Sequence, residues 1–133
     1  MRTVYLVEDN SADVELFRLS LAEASVSCHL KVFGDGRQAI DYVRHNPAAP
    51  DLIVLDMNLP KLDGVELLTL LRGTPGFGDV PVVSLSSSSS PRDQLRLSEL
   101  NIAASMVKPA DLDEYMKIGV VLRRLLTDRA QVE

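Results

Sequence analysis

The sequence is poor in several residue types, and each shortage excludes a class of protein. Cys28 is the single cysteine among 133 residues, so a disulfide bond within the chain is impossible, and we expect a small buried thiol. Tryptophan is absent, and aromatic residues make up 5% of the chain. Acidic residues outnumber basic ones by 19 to 14, which gives a formal net charge of −5. Because nucleic acid requires a basic surface, a nucleic-acid partner is not expected.

Long apolar runs are also missing. No stretch reaches the roughly 18 consecutive apolar residues of a membrane span. The first apolar run, Val4–Val7, ends at Glu8 and Asp9 and does not continue as a secretory signal. We therefore expect a cytoplasmic protein with no membrane partner. The length of 133 residues, with 46% hydrophobic and 25% charged residues, is typical of one globular domain.

Short apolar runs alternate along the chain with longer segments of helical periodicity. The short runs lack the alternation of half-exposed strands, which favours strands that are covered on both faces. The predicted strands are Val4–Val7, Leu30–Phe33, Leu52–Leu55, Val82–Leu85 and Ser105–Val107. The predicted helices begin at Asn10 or Ser11, after Asp35, at Gly64, at Ser90–Pro91 and at Asp111, and the last of them runs to Leu126.

Five consecutive strand–helix units predict an α/β fold with a doubly wound parallel sheet and helices on both of its faces. Right-handed crossovers leave few topologies for such a chain. Of these we adopt the five-strand order 2-1-3-4-5, a common arrangement of doubly wound sheets. No internal repeat and no linker to a second domain is evident, so residues 1–133 are expected to form one domain.

Polar residues follow the predicted strands where ligands bind in this type of sheet, at the carboxyl ends of the strands. The first strand leads to Glu8 and Asp9, and the third leads to Asp56. Ser86 and Lys108 follow the fourth and fifth strands. Crowded carboxylates repel one another, and hard oxygen ligands suit Mg²⁺. Carboxylates, a metal, an ammonium group and a hydroxyl are the parts needed for phosphoryl transfer to a carboxylate.

Four motifs, in this order and spacing, resemble the receiver domain of two-component response regulators over nearly the whole chain. They are Val7–Asn10, Leu55–Pro60 with Asp63–Gly64, Val82–Ser86 and Val107–Pro109. The resemblance implies a flavodoxin-like (βα)5 fold and a phosphorelay function. A phosphoryl group from a histidine kinase would change the affinity of the protein for partners or for a second copy of itself.

The resemblance also implies how Mg²⁺ and the phosphoryl group are bound. Asp56 is expected to be the phosphoacceptor and a metal ligand. Asp9 is expected to bind Mg²⁺ directly and Glu8 through water, with the backbone carbonyl of Asn58 as a further ligand.

The remaining implied roles belong to the lysine and the serines. Lys108 is expected to contact the phosphoryl group, Ser86 to move toward one of its oxygens, and Ser87 to donate a backbone N–H. The peptide bond after the lysine is usually cis in this family. Asn58 and Ser88 occupy the positions that tune the lifetime of the phosphoryl group.

The resemblance is greatest to single-domain regulators that pair with phytochrome-type histidine kinases. It implies a receiver domain at residues 1–133 with no output domain. One position departs from the family pattern, because Ser105 stands where many receivers have a switch aromatic residue, three residues before the lysine. The signal must therefore be transmitted without an inward rotation of that ring.

The helix predicted at Asp111–Leu126 carries more apolar surface than packing on a sheet requires. On a helical wheel its apolar residues cover an arc of roughly 260°, whereas about 100° is sufficient for one buried face. The excess indicates either a homodimer through this helix or cover by neighbouring helices.

Two alternative functions remain open. The first is a phosphatase with an aspartyl nucleophile, but such enzymes carry a general acid two residues after the nucleophile, where this chain has Asn58. The second is a receiver-like interaction module that works without phosphorylation. We expect no enzymatic activity beyond phosphorylation and dephosphorylation of the protein itself.

Overall fold

The computed structural model describes residues 2–59, 62–86, 91, 95, 98–100 and 102–132, and only the backbone of residues 128–132. The strands in this part of the chain are β1 (Arg2–Val7), β2 (Cys28–Phe33), β3 (Leu52–Asp56), β4 (Val82–Ser86) and β5 (Ala104–Val107). Its helices are α1 (Ser11–Glu23), α2 (Gly36–His45), α3 (Gly64–Arg72) and α4 (Leu112–Val132). The helix predicted from Ser90 and Pro91 lies largely outside the described residues, as do Ser87 and Ser88.

The strands form one sheet in the order β2-β1-β3-β4-β5, and every neighbouring pair is parallel. The predicted fold class and strand order are therefore confirmed. The strand order changes direction between β1 and β3, whose register sets Val7 opposite Leu55. In a doubly wound sheet a crevice opens at this point, outside the carboxyl ends of the strands.

Each face of the sheet has its own apolar core. Successive side chains of β1 point to opposite faces, because the side-chain period of a strand is two. Tyr5 and Val7 pack with residues of α2 and α3, whereas Val4 and Leu6 pack with residues of α1 and α4. The run Val4–Val7 is thus apolar throughout because both faces of the sheet are covered. Cys28 is partly buried against the second core.

Polar side chains fix the starts of α1, α2 and α3. The Asn10 side chain accepts a hydrogen bond from the backbone N–H of Asp13 at 3.1 Å. Asp35 and Asp63 accept equivalent bonds, each at 2.9 Å, from residues in the first turns of α2 and α3. Such a cap contributes about 1 kcal/mol to helix stability. The predicted starts of these three helices are confirmed, and Asp63 is a cap that was not predicted.

Helix α4 lies close against α1. A β-carbon on Gly119 of α4 would collide with the backbone carbonyl of Ser20 on α1, so glycine is required at this contact. Ser20 is fully buried, and its hydroxyl donates to the carbonyl of Phe17 at 2.7 Å. The two helices therefore approach backbone to backbone at Gly119 and Ser20, with little space between them.

Most of the apolar surface counted on the last helix is covered within the domain. Four apolar residues of α4 are buried, namely Tyr115, Ile118, Leu122 and Leu126. Three more are partly buried, namely Met116, Val121 and Leu125. Leu112 and Val120 remain 54% and 52% exposed. The exposed apolar part of α4 is thus much narrower than the helical wheel indicates. Within the described residues, no helix combines the length and apolar character needed to cross a membrane.

Candidate functional site

Glu8, Asp9 and Asp56 meet at the carboxyl edge of the sheet. They do so because β1 and β3 are neighbours and end at the same level, Val7 opposite Leu55. One carboxylate oxygen from each residue lies within 4.8 Å of the others. Glu8 and Asp56 are 3% and 2% exposed, whereas Asp9 is exposed to solvent. The predicted acidic cluster is therefore formed in the structure.

Lys108 extends into this cluster from the end of β5. Its Nζ lies 2.7 Å from Glu8 Oε1 and 3.2 Å from Asp56 Oδ2. Its backbone N–H donates to the carbonyl of Ser86 at 2.7 Å, which fixes the lysine beside the end of β4. The structure thus brings Lys108 together with the acidic residues, as the sequence predicts.

Asp13 is a site residue that sequence reasoning missed. Its Oδ2 lies 3.1 Å from Lys108 Nζ, and its side chain is 25% exposed. It belongs to the first turn of α1, whose cap, Asn10, follows Asp9 directly. This placement was the available signal: a side chain one turn into a helix that starts at the carboxyl edge can reach back to that edge.

The loop after β3 places backbone groups beside Asp56. The backbone N–H of Asn58 donates to Asp56 Oδ1 at 2.9 Å. At the start of α3, a β-carbon on Gly64 would lie 2.6 Å from the Met57 sulfur and 2.8 Å from its Cα, so only glycine fits here. The close approach of α3 keeps this loop against the site. The use of the Asn58 carbonyl as a metal ligand stays a prediction.

The pKa values of Glu8 and Lys108 are both raised, which favours the neutral form of Glu8 and the charged form of Lys108. Burial raises the pKa of Glu8 from 4.5 to about 7, with Lys108 lowering it and Asp56 raising it further. Burial alone would lower the pKa of Lys108, but its carboxylate neighbours outweigh burial and raise that pKa above its usual value. Lys108 is therefore charged at every physiological pH, and Glu8 changes its charge near neutrality.

The donor set fits a hard divalent cation. All side chains of the cluster offer carboxylate oxygens, which Mg²⁺ and Mn²⁺ prefer. Glu8 Oε1 is buried and lacks a well-directed hydrogen bond, although the Lys108 ammonium lies 2.7 Å away. Among the described residues at this edge, the carboxylates of Glu8, Asp9, Asp13 and Asp56 outnumber the Lys108 ammonium group, which leaves an excess of negative charge. A divalent cation at this cluster would balance that charge, so these residues are suited to bind one.

The remaining predicted positions are only partly described. Ser86 ends β4, and Ser105 is exposed on β5. Ser87 and Ser88 lie outside the described residues, so their expected roles are untested. The peptide bond between Lys108 and Pro109 is trans, in contrast to the cis bond that the resemblance implies. The trans form is the ordinary preference of a bond before proline.

An acidic cluster with a lysine at the carboxyl edge of a 2-1-3-4-5 sheet defines the class of phosphoryl-accepting receiver domains. The family model of the response regulator receiver domain matches residues 4–118. Response regulator Rcp1 of Synechocystis sp. is 31% identical over 122 residues, which are 88% of this chain and 83% of that protein.

Solved structures agree with this assignment. The phosphorylated cyanobacterial phytochrome response regulator RcpA is 34% identical, with a TM-score of 0.85 over 95% of this chain and 94% of that one. The Mn²⁺-bound form of Rcp1 is 31% identical, with a TM-score of 0.81 over 90% of this chain and 89% of that one. The chain belongs to the response regulator receiver domain family.

The family assignment settles the general function. The chain is a receiver-domain response regulator of a two-component system, a family that is phosphorylated on aspartate with Mg²⁺. Receiver domains bind a divalent metal at an acidic pocket, and Glu8, Asp9 and Asp56 form such a pocket here.

Proposed function

We propose that Asp56 is the phosphoacceptor and that Lys108 assists the transfer. The supporting observation is the contact of the buried Asp56 carboxylate, 2% exposed, with Lys108 Nζ at 3.2 Å inside the acidic cluster. Asp56 ends β3, the middle strand of the sheet. A carboxylate there can attack phosphorus while an ammonium group balances the charge on the phosphoryl oxygens.

The transfer breaks one bond and forms one. An oxygen of Asp56 attacks the phosphorus of a phosphohistidine, the nitrogen–phosphorus bond breaks, and its electron pair remains on the histidine. The Lys108 ammonium then donates to a phosphoryl oxygen. Ser86 supplies a hydroxyl hydrogen bond, and Ser87 supplies a backbone N–H to the same group. Hydrolysis by water restores the Asp56 carboxylate and releases inorganic phosphate.

The cation site uses the same edge of the sheet. Asp9 is proposed as a direct ligand, Glu8 as a ligand through water, and Asp56 and the backbone carbonyl of Asn58 as the other protein ligands. Bound Mg²⁺ supplies charge neutralisation to the phosphoryl oxygens. The all-oxygen donor set and the spacing of the acidic residues within 4.8 Å support this arrangement.

Phosphorylation by a small donor tests the proposal directly. The protein is incubated with acetyl phosphate and Mg²⁺, and intact-mass spectrometry counts the added phosphoryl groups. We expect one group on the wild type, none on Asp56→Asn, and one on the control Asp41→Asn, which changes an exposed residue of α2. A full adduct on Asp56→Asn would place the acceptor elsewhere.

The donor is proposed to be a histidine kinase of the phytochrome type, acting in the cytoplasm. Support comes from the similarity to RcpA, described as a phytochrome response regulator, and to Rcp1.

Catalysis beyond phosphorylation and dephosphorylation of the chain itself is not proposed. Asn58 lacks the proton that an aspartyl phosphatase would need two residues after Asp56. The assembled lysine and acidic residues disfavour an interaction module that works without phosphate.

Phosphorylation is proposed to change self-association of the protein into a homodimer through α4. Leu112 and Val120 are the exposed apolar residues of this helix in the part whose side chains are described, and Met116, Val121 and Leu125 are partly exposed. The absence of an output domain within residues 1–133 stays a prediction.

A further inference from the structure

Among the residues that the structure describes, Lys108 has three carboxylate neighbours, and one of them stands apart from the other two. Nζ contacts Glu8 at 2.7 Å, Asp13 at 3.1 Å and Asp56 at 3.2 Å. Glu8 and Asp56 belong to the acidic cluster that can hold a cation, and Asp13 does not. A cation held by Glu8 and Asp56 would compete with Lys108 for these two carboxylates, whereas Asp13 lies outside that cluster. Asp13 is thus the carboxylate neighbour of Lys108 that does not belong to the cation site.

The backbone of Asp13 is held in place on both sides of its peptide unit. Its backbone N–H donates to the Asn10 side chain at 3.1 Å, and its backbone carbonyl accepts from the Tyr115 hydroxyl at 3.3 Å. Tyr115 is 2% exposed, so the second bond ties the first turn of α1 to the buried face of α4. The carboxylate therefore faces Lys108 from a fixed backbone, and its reach is limited to rotation of its own short side chain.

Lys108 does not depend on Asp13 for its orientation. Its backbone N–H donates to the Ser86 carbonyl at 2.7 Å, and its ammonium group retains Glu8 and Asp56 as neighbours. The loss of the Asp13 carboxylate would leave the lysine directed at the site. It would also remove one negative charge from a site that has to accept an anionic phosphoryl group. The ion pair between Asp13 and Lys108 thus stabilises the unphosphorylated protein relative to the phosphorylated one.

We propose that Asp13 forms an ion pair with Lys108 in the unphosphorylated protein and competes with the phosphoryl group for the ammonium of this lysine. This inference rests on the proposed role of Asp56 and Lys108. Phosphorylation then exchanges one ion pair for another: Lys108 leaves Asp13 Oδ2 and donates to a phosphoryl oxygen. The strength of the Asp13 contact sets how readily the site takes up a phosphoryl group.

The probe is beryllofluoride, a noncovalent mimic of the phosphoryl group, titrated in saturating Mg²⁺ and followed by fluorine NMR. Asp13→Asn keeps the size of the side chain and removes its charge. We expect it to bind beryllofluoride about fivefold more tightly, the size of effect that one partly exposed ion pair can produce. The matched control Glu15→Gln removes the same charge from a side chain of α1 that is 73% exposed, and it should bind like the wild type.

A second background separates the lysine contact from a general effect of charge. In Lys108→Gln, the further substitution Asp13→Asn should leave the dissociation constant unchanged, because no ammonium group remains to be released. The same gain in both backgrounds, or none in the wild-type background, would overturn the inference. A wild-type protein that binds no beryllofluoride in Mg²⁺ would instead overturn the proposed function.

Discussion

The phenolic oxygen of Tyr115 donates a hydrogen bond to the backbone carbonyl of Asp13 over 3.3 Å. The side chain of Tyr115 is 2% exposed and packs in the core between α1 and α4. The hydrogen bond adds a polar link from the last helix to a residue that contacts Lys108. Burial, followed by the charges of Asp13 and Glu8, raises the pKa of Tyr115 from 10.0 to about 12.

The first prediction concerns this hydroxyl. Tyr115→Phe should lower the free energy of unfolding by about 1 kcal/mol, because one partly buried hydrogen bond is lost and the Asp13 carbonyl loses a donor. Denaturant titration measures this change. Since the folded pKa is raised, the contribution of Tyr115 is complete below pH 10.0 and is lost as the pH rises toward about 12.

Ultraviolet absorbance during an alkaline titration gives a second reading of the same group. Tyr115→Phe should remove the tyrosine ionisation that occurs at the highest pH. Tyr42→Phe, a partly buried tyrosine on α2, is the control and should retain it. Loss of that step in the Tyr42 variant would contradict the assignment.

Mg²⁺ should stabilise the protein, and more so above neutral pH than below it. Glu8 has a folded pKa raised from 4.5 to about 7, so without metal its ionisation costs stability as the pH rises through this range. A cation requires the deprotonated carboxylate. At 100 times its dissociation constant, Mg²⁺ should add about 2.7 kcal/mol to the free energy of unfolding.

Thermal melts in Mg²⁺ and in EDTA, about one pH unit above and below the Glu8 pKa, measure this effect. The difference between the two melting temperatures should be larger at the higher pH. In Glu8→Gln the pH dependence of that difference should largely disappear, because the titrating carboxyl group is gone. A melting temperature that does not respond to saturating Mg²⁺ would count against the metal site.

Gly119→Ala should destabilise the fold. The added methyl group would collide with the backbone carbonyl of Ser20, so α1 and α4 would have to move apart and expose the surfaces around Phe17 and Tyr115. Overpacking of this kind costs about 1–3 kcal/mol. Gly73→Ala is the matched control, because a β-carbon at Gly73 has its nearest neighbour at 3.7 Å and the backbone φ is −86°. Equal stability of the two variants would contradict the tight helix contact.

The central strands and the central residues of the site follow from short-range signals in the sequence, whereas the strand order was adopted as a common arrangement of doubly wound sheets. Apolar runs lead directly into Glu8 and Asp56, and parallel strands necessarily bring their carboxyl ends to one edge. The start of β1 at Arg2 was not predicted, because Arg2 and Thr3 are polar and their place in the strand comes from pairing with Cys28 and His29. The strand β2 likewise begins at Cys28, two residues before the predicted start.

The other differences arise from contacts between distant segments. Asp13 has the sequence pattern of a first-turn helix residue, and only the fold brings Lys108, 95 positions away, to its side chain. Helix α4 continues to Val132 beyond the predicted end at Leu126, because no glycine or proline follows to stop it. The apolar arc on the helical wheel overstated the exposed apolar surface of α4. Helix α1 covers much of that arc, and a helical wheel takes no account of neighbouring helices.

The last prediction concerns how phosphorylation is transmitted without a switch aromatic residue. Ser105 is exposed on β5 and has no ring to rotate, and Tyr115 is fixed in the core by burial and by its bond to Asp13. The backbone carbonyl of Ser86 accepts a hydrogen bond from the backbone N–H of Lys108 at 2.7 Å, so a movement of either residue displaces the other. We expect Ser86→Ala to accept phosphate, because Asp56, Lys108 and the acidic residues remain.

The Ser86→Ala variant should, however, lose the effect of phosphate on self-association, because allostery requires contacts that differ between the two states. Dimer dissociation constants are measured by analytical ultracentrifugation with and without beryllofluoride for wild type, Ser86→Ala and Ser86→Thr. The threonine variant keeps the hydroxyl and should behave like the wild type. An equal shift in all three proteins would show that the hydroxyl is not the switch. A dissociation constant that beryllofluoride leaves unchanged in the wild type would contradict the α4 dimer as readout and assign that role to a different partner protein.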